Sequence, residues 1–224
     1  MDWSALWLSV QLSVATALIL LPLGVFSSRW LAGSRHPLKP VFEAMLALPL
    51  VLPPTVLGFY LLVAMGGESM LGALFQQIFG STLAFSFTGL LVASVVFNIP
   101  FALMPMQRAF EAIPGELHDA ARTCGLSRWR TLWHIELPLA RRGILSGMIM
   151  TAAHTMGEFG VVLMVGGSIP GQTRTIAISI YDKVQSFDMQ SAGTMSATLL
   201  ALSLMTLLVS AWLMRVPPGL QQRG

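Results

Sequence analysis

Long apolar runs alternate with short polar breaks along the chain. The runs occupy residues 6–31, 41–65, 82–104, 143–165 and 191–214. The first carries no charge between Asp2 and Arg29. As a helix rising about 1.5 Å per residue it covers about 39 Å, enough to cross a hydrocarbon core of ~30 Å with tilt. Trp3, Trp7 and Trp30 sit near its ends, where interfacial aromatics gather. Pro49, Pro53 and Pro54 interrupt the second run and predict a kink or an unwound turn. The fourth opens with Gly143 and Gly147, a spacing of small residues that predicts close contact with another helix. The pattern predicts an all-α transmembrane fold, one domain over residues 1–224 with about five membrane-spanning helices.

The breaks are a link at 32–40, a loop at 66–81 without a basic residue, a large loop at 105–142 and a glycine-containing loop at 166–190. The last holds a short amphipathic patch near 176–184, and a polar tail follows at 215–224. Composition agrees with lipid as the solvent: 54% of the 224 residues are hydrophobic and 10% charged, against roughly a quarter charged in soluble domains. Arginines occur in loops without forming a basic patch, so nucleic acid is not an expected partner. One cysteine excludes an internal disulfide. Residues 1–28 contain no Lys or Arg, so the first run is expected to be a retained span rather than a cleaved signal.

Charge fixes an orientation. Five spans put the termini on opposite sides. The link (Arg29, Arg35, Lys39), the large loop (Arg108, Arg122, Arg128, Arg130, Arg141, Arg142) and the tail (Arg215, Arg223) fall on one side; only Arg174 and Lys183 fall on the other. The positive-inside rule predicts a periplasmic N-terminus and a cytoplasmic C-terminus.

The most polar stretch lies in that large inner loop, at 118–138. Leu117, Ala120, Ala121 and Cys124 recur at helical spacing and predict one apolar face. Gly125 ends that helix, Ser127 can cap a second short one, and Trp129, Leu132 and Trp133 make its apolar stripe. Pro138 stops this pattern or starts the next span. The stretch resembles the cytoplasmic loop of ABC-importer permeases, whose pattern is E-A-A, three residues, G, nine residues, I-x-L-P. Asp119, Ala120, Ala121, Gly125, Ile135, Leu137 and Pro138 carry the match, with Asp in place of Glu. The resemblance implies that loop 105–142 holds a coupling helix set against a separate ATPase.

No phosphate-binding loop occurs; neither Lys39 nor Lys183 stands in G-x-x-x-x-G-K-[ST]. The chain is therefore expected to be non-catalytic and to bind no cofactor, ATP and magnesium belonging to the partner. The resemblance implies two copies of that ATPase, a second permease copy in a homodimer, an extracytoplasmic binding protein and the surrounding lipid, in a bacterial inner membrane. Residues 156–180 resemble the G-E-F-G and G-x-I-P-G-x-T-x-T stretches of molybdate and sulfate permeases. Gly157, Glu158, Phe159, Gly160, Gly167, Ile169, Pro170, Gly171, Thr173 and Thr175 carry this second match. It implies import of an oxyanion: molybdate first, with sulfate, thiosulfate or tungstate as alternatives.

His154 and Glu158 are the ionisable groups deep in a span. Four residues apart, they are expected to share one helix face. A mid-bilayer charge costs about 2.5–3.5 kcal/mol on insertion scales, so they are candidates for a gate or relay. An ion-gradient-driven secondary transporter using this pair is the reading from another class. The alternative assignment, weighted more heavily, is a buried hydrogen-bonded pair or cap holding Gly157 and Gly160 in a bend. Two ligands are too few for zinc, so no metal is expected. Thr151, Thr155, Asn98, Ser94, Ser203 and Thr206 offer hydroxyls and amides that could line an anion route, though most such groups bond neighbouring helices. Arg174 and Lys183 are candidates for docking the binding protein or guiding an oxyanion.

Overall fold

The computed structural model describes residues 1–213. Residues 214–224, with Arg215, Arg223 and the last residue of the fifth apolar run, lie outside the described residues. The elements in order are α1 (Trp3–Gly33), α2 (Lys39–Val51), α3 (Pro54–Met65), α4 (Met70–Phe79), α5 (Phe87–Glu111), α6 (Gly115–Thr123) and α7 (Arg128–Thr131). A π-helical turn (Leu132–Glu136) leads into α8 (Leu137–Gly157), followed by α9 (Gly160–Gly166), α10 (Ile176–Gln185) and α11 (Met189–Leu213). No strand occurs among the described residues.

Helices α1, α5 and α11 are each long and apolar enough to cross a membrane. The pairs α2–α3 and α8–α9 qualify only together, bent by 107° and 61° at their breaks. Both pairs run from one end of the molecule to the other. Lys39, at the start of α2, bonds Glu111 at the end of α5 (3.0 Å). Met65, at the end of α3, packs with Leu83 and Ala84 just before α5 begins. Likewise α8 starts beside the polar loop, while Val165 of α9 accepts a hydrogen bond from the Phe85 backbone N–H (2.9 Å). Each pair is thus a broken crossing, and five crossings result.

Of the kink or unwound turn expected in 41–65, the chain takes the unwound turn, at Leu52–Pro53, because consecutive prolines remove donors and push the preceding residue out of the helical region. The run 143–165 is not one helix either. It divides at Glu158–Phe159, where φ/ψ at Glu158 is −67/130. The expected loop 66–81 contains α4, capped by Ser69 and ended by Gly80 at φ 68. Loop 105–142 is shorter than expected at both ends: α5 continues through Pro100 and Pro105 to Glu111, and Pro138 starts α8 as a first-turn proline. The amphipathic patch near 176–184 is α10.

The centre of the molecule is the packing of α1, α5 and α8 on one another. Leu20, Ala102, Met106 and Ala140 are buried there. The contact of α5 with α8 depends on the two glycines singled out by spacing. A Cβ on Gly143 would lie 2.3 Å from Ala109 Cβ, and one on Gly147 would lie 2.6 Å from the Ala102 carbonyl oxygen. Hydroxyls add cross-helix bonds: Ser28 Oγ donates to the Leu103 carbonyl (3.0 Å) and Ser13 Oγ to the Ala152 carbonyl (2.8 Å). Large apolar side chains remain exposed on α1 and α11, among them Trp7, Leu18, Leu200 and Trp212, as a lipid-facing surface requires.

Replacing Gly147 by Leu is expected to destabilise the detergent-solubilised protein by about 2 kcal/mol through overpacking. Gly193→Ala, in open space on α11, is expected to hold or slightly raise the thermal midpoint, since alanine favours the helix over glycine.

Candidate functional site

Two polar sites interrupt the apolar body. The first is the elbow formed by α6, α7 and the π turn. Helix α6 ends in a Schellman arrangement: Leu126 N–H bonds the Ala121 carbonyl (3.0 Å) and Gly125 N–H bonds the Arg122 carbonyl (2.9 Å). Gly125 takes φ +73, a left-handed conformation open to glycine at little cost. No atom lies within 4 Å of where its Cβ would be, so the requirement is conformational and the outer side of the turn is free. Ser127 then caps α7 by accepting from Arg130 N–H (3.3 Å).

The face of α6 is divided. Ala121 is buried against the chain, while Leu117, Asp119, Ala120 and Cys124 are exposed. Asp119 lies 3.7 Å from Arg122 across one exposed turn. Ile135 and Leu137 are half-buried and Pro138 is exposed. Leu132 enters the core, whereas Trp129 and Trp133 stay outside, Trp129 stacked on Phe26 of α1 with ring centroids 6.1 Å apart. The expected stripe Trp129–Leu132–Trp133 is therefore split between core and surface.

The elbow also contains a cluster that sequence reasoning did not assemble. Glu136 is 3% exposed. Arg29 of α1 grips its carboxylate with two nitrogens, Nε to Oε2 and Nη2 to Oε1, the latter at 3.1 Å. The same Nη2 donates to the Arg128 carbonyl (3.2 Å), and His118 Nε2 lies 3.3 Å from Glu136 Oε1. The available signal was an acid at the foot of an apolar helix, which must find a cation to be buried.

The second site surrounds the break between α8 and α9. His154 and Glu158 bond different partners. Helix α8 ends at Gly157, and the chain turns out of helical geometry at Glu158. The Glu158 carboxylate, largely buried, accepts from the Val161 N–H (2.9 Å) and so caps α9. His154 turns to α5 instead. Its Nδ1 lies 3.1 Å from Asn98 Oδ1; Asn98 Nδ2 donates to the Ser94 carbonyl (2.8 Å). That leaves Asn98 Oδ1 to accept, and His154 to carry its proton on Nδ1. The Phe101 ring stacks on the imidazole at 3.9 Å. Thr155 Oγ1 donates to the Thr151 carbonyl (2.8 Å), and the hydroxyls of Ser94 and Thr151 are buried without a partner. Thr206 bonds back to the Leu202 carbonyl. The structure joins Asn98 to His154 and ties Glu158 to the start of α9.

At the opposite end from the elbow, Arg174 and Lys183 both face carboxylates. Arg174 Nε lies 3.4 Å from Asp182 and Lys183 Nζ 3.1 Å from Asp188. Hydrogen bonds from Ser191 and Lys183 hold the Asp188 carboxyl below its usual range. This local pairing weakens any steering field that the two cations would set up.

The broken crossings and the exposed elbow match a known group of membrane proteins. The protein-family model of the binding-protein-dependent transport system inner membrane component matches residues 20–222. The chain belongs to this family. Among relatives of this permease, the molybdenum transport system permease protein ModB of Azotobacter vinelandii is 44% identical over 206 residues, covering 92% of this chain and 91% of that protein. ModB of Escherichia coli K12 is 38% identical over 216 residues, with 96% and 94% covered. The sulfate transport system permease protein CysW of Synechocystis is more distant, 31% identical over 205 residues, with 90% and 74% covered. A bacterial ABC transporter for alginate import superposes with a TM-score of 0.73 over 95% of this permease and 79% of that chain. An amino acid ABC transporter superposes with a TM-score of 0.62 over 95% and 92%. Identities of 14% and 16% make these last two likenesses of fold alone.

Glu158→Ala is expected to cost about 1 kcal/mol through loss of the α9 cap. Glu158→Gln, which keeps a carbonyl acceptor, is expected to lose less. Thermal unfolding of the two purified variants in one detergent reads the difference.

Proposed function

We propose that this permease is the membrane subunit of an ATP-driven molybdate importer, working with a separate ATPase and an extracytoplasmic binding protein. The observation that carries the reading is 44% identity to a molybdenum permease over nearly the full length of both chains. More distant likeness to sulfate permeases favours molybdate over sulfate.

The elbow suits the coupling role. It is short and rigidly capped, and it exposes Leu117, Ala120 and Cys124 toward a groove on the ATPase. Asp119 and Gly125 shape the edge and the turn of that contact, while Ala121, Ile135, Leu137 and Pro138 seat the elbow against the spans. ATP and magnesium are held by the partner, in two copies, below two permease chains. The N-terminus faces the periplasm; the end bearing Arg29, Lys39 and the elbow faces the cytoplasm. Asn98, His154, Thr151 and Thr155 lie beside the broken span as the polar part of the route. Among them the Thr151 hydroxyl has no partner within the protein, and a hydroxyl can donate to an oxyanion without trapping it by full charge. Membership of a binding-protein-dependent transport family and the likeness to molybdenum permeases favour this reading over an ion-gradient-driven transporter using His154 and Glu158.

A strain lacking this chain is expected to grow on molybdenum-dependent metabolism only with excess molybdate, and restoring the chain removes that need. Rescue by excess sulfate instead would replace the cargo. Gly125→Glu is expected to abolish co-purification of the ATPase and reduce uptake at least about tenfold, since a charged side chain would stand in the contact and add left-handed strain. Cys124 is expected to react with an impermeant thiol reagent only from the cytoplasmic face of inverted vesicles.

A further inference from the structure

A cavity of about 460 Å³ separates the elbow from the inner ends of α1 and α5. Arg29, Phe110, His118, Arg128 and Glu136 are among its walls. Helix α6 makes no extensive backbone contact with any long helix. A push on α6 therefore reaches α1 through side chains: the stack of Trp129 on Phe26, and a set of polar side chains meeting at one carboxylate.

Glu136 is the common node. It belongs to the π turn at the foot of α8, it is gripped by the forked guanidinium of Arg29 from α1, and it faces His118 from α6. Three elements thus meet at two oxygens. A lone buried carboxylate would be strongly destabilising; a bidentate arginine with further polar neighbours compensates and fixes its direction. Neutralising one charge would require only one partner. Here both oxygens are used, and Arg29 also bonds the Arg128 carbonyl of α7. The arginine fork is planar and stiff, so it transmits both push and twist.

We propose that Glu136 is a positioning residue for the transport stroke: its carboxylate carries displacement of α6 into α1 and α8 together. This rests on the reading of the elbow as the ATPase contact. When the elbow moves, α1 and α8 follow as one body, and α5 follows through its glycine contact with α8. With the node broken, the ATPase still holds α6 and still cycles, but the cavity absorbs part of the motion.

The test uses the complete complex of permease, ATPase and binding protein in proteoliposomes, with uptake of molybdate and hydrolysis of ATP measured together. Glu136→Gln keeps the shape and removes the charge. The expected result is wild-type co-purification of the ATPase, hydrolysis within about twofold of wild type, and at least a fivefold loss of molybdate moved per ATP, the scale of a typical coupling energy. Arg29→Gln reads the same node from its more exposed partner and is expected to match. Arg29→Lys, which keeps the charge without the fork, is expected to retain an intermediate ratio. An unchanged ratio in both Gln variants would overturn the proposal. So would loss of ATPase binding in step with transport, which would mean that Glu136 only folds the elbow. Failure of the underlying reading looks different: Gly125→Glu would then leave the ATPase attached.

Discussion

Hydrocarbon offers no water to a freed backbone group, and that constraint governs where this chain can bend. At Glu158–Phe159 the start of α9 would leave unpaired N–H groups inside the protein. The Glu158 carboxylate accepts one of them at 2.9 Å, so an acid buried in the membrane body becomes the condition for breaking the helix. The other break lies between prolines, one of which has no N–H to satisfy at the first turn of α3. The two breaks use opposite chemistry to meet one demand.

The same demand organises the polar end. Arg29, Glu136 and His118 are brought together because each would be costly alone near the apolar core. The elbow can then be exposed on its outer side and still be held in place. Its outer face owes nothing to the rest of the chain, since nothing approaches Gly125 from that side. An exposed helix held from behind is the shape of a part made to be handled by something else, in keeping with membership of a family of binding-protein-dependent transport components.

Much of this was legible in the sequence. The five crossings follow from apolar run lengths, and the end of α6 follows from the left-handed Gly125. The contact at Gly143 and Gly147 follows from spacing, because only a missing Cβ admits a neighbouring backbone. Periodicity failed where a local rule was overruled at longer range. Pro105 looked like a boundary, yet α5 runs through it as it does through Pro100, with Ala102 and Met106 buried between and beside them. The spacing of His154 and Glu158 did not tell that the first bonds Asn98 on α5 and the second the start of α9, partners set by the fold. Glu136 was visible only as a charge: its partner Arg29 is 107 residues away, a distance that no local pattern can bridge.

The two breaks lie side by side. A Cβ on Gly160 would come within 2.7 Å of Pro54 Cβ, and one on Gly58 within 2.8 Å of Met164. Helices α3 and α9, the outer halves of two different crossings, are therefore fastened to each other across the level where both backbones are cut. That arrangement makes a seam. Outward of it sit the two half-helices; inward of it α8 is locked to α5 by its glycines. At the level of the seam two chain breaks coincide, and α1, α5 and α11 are the described spans that pass it uncut.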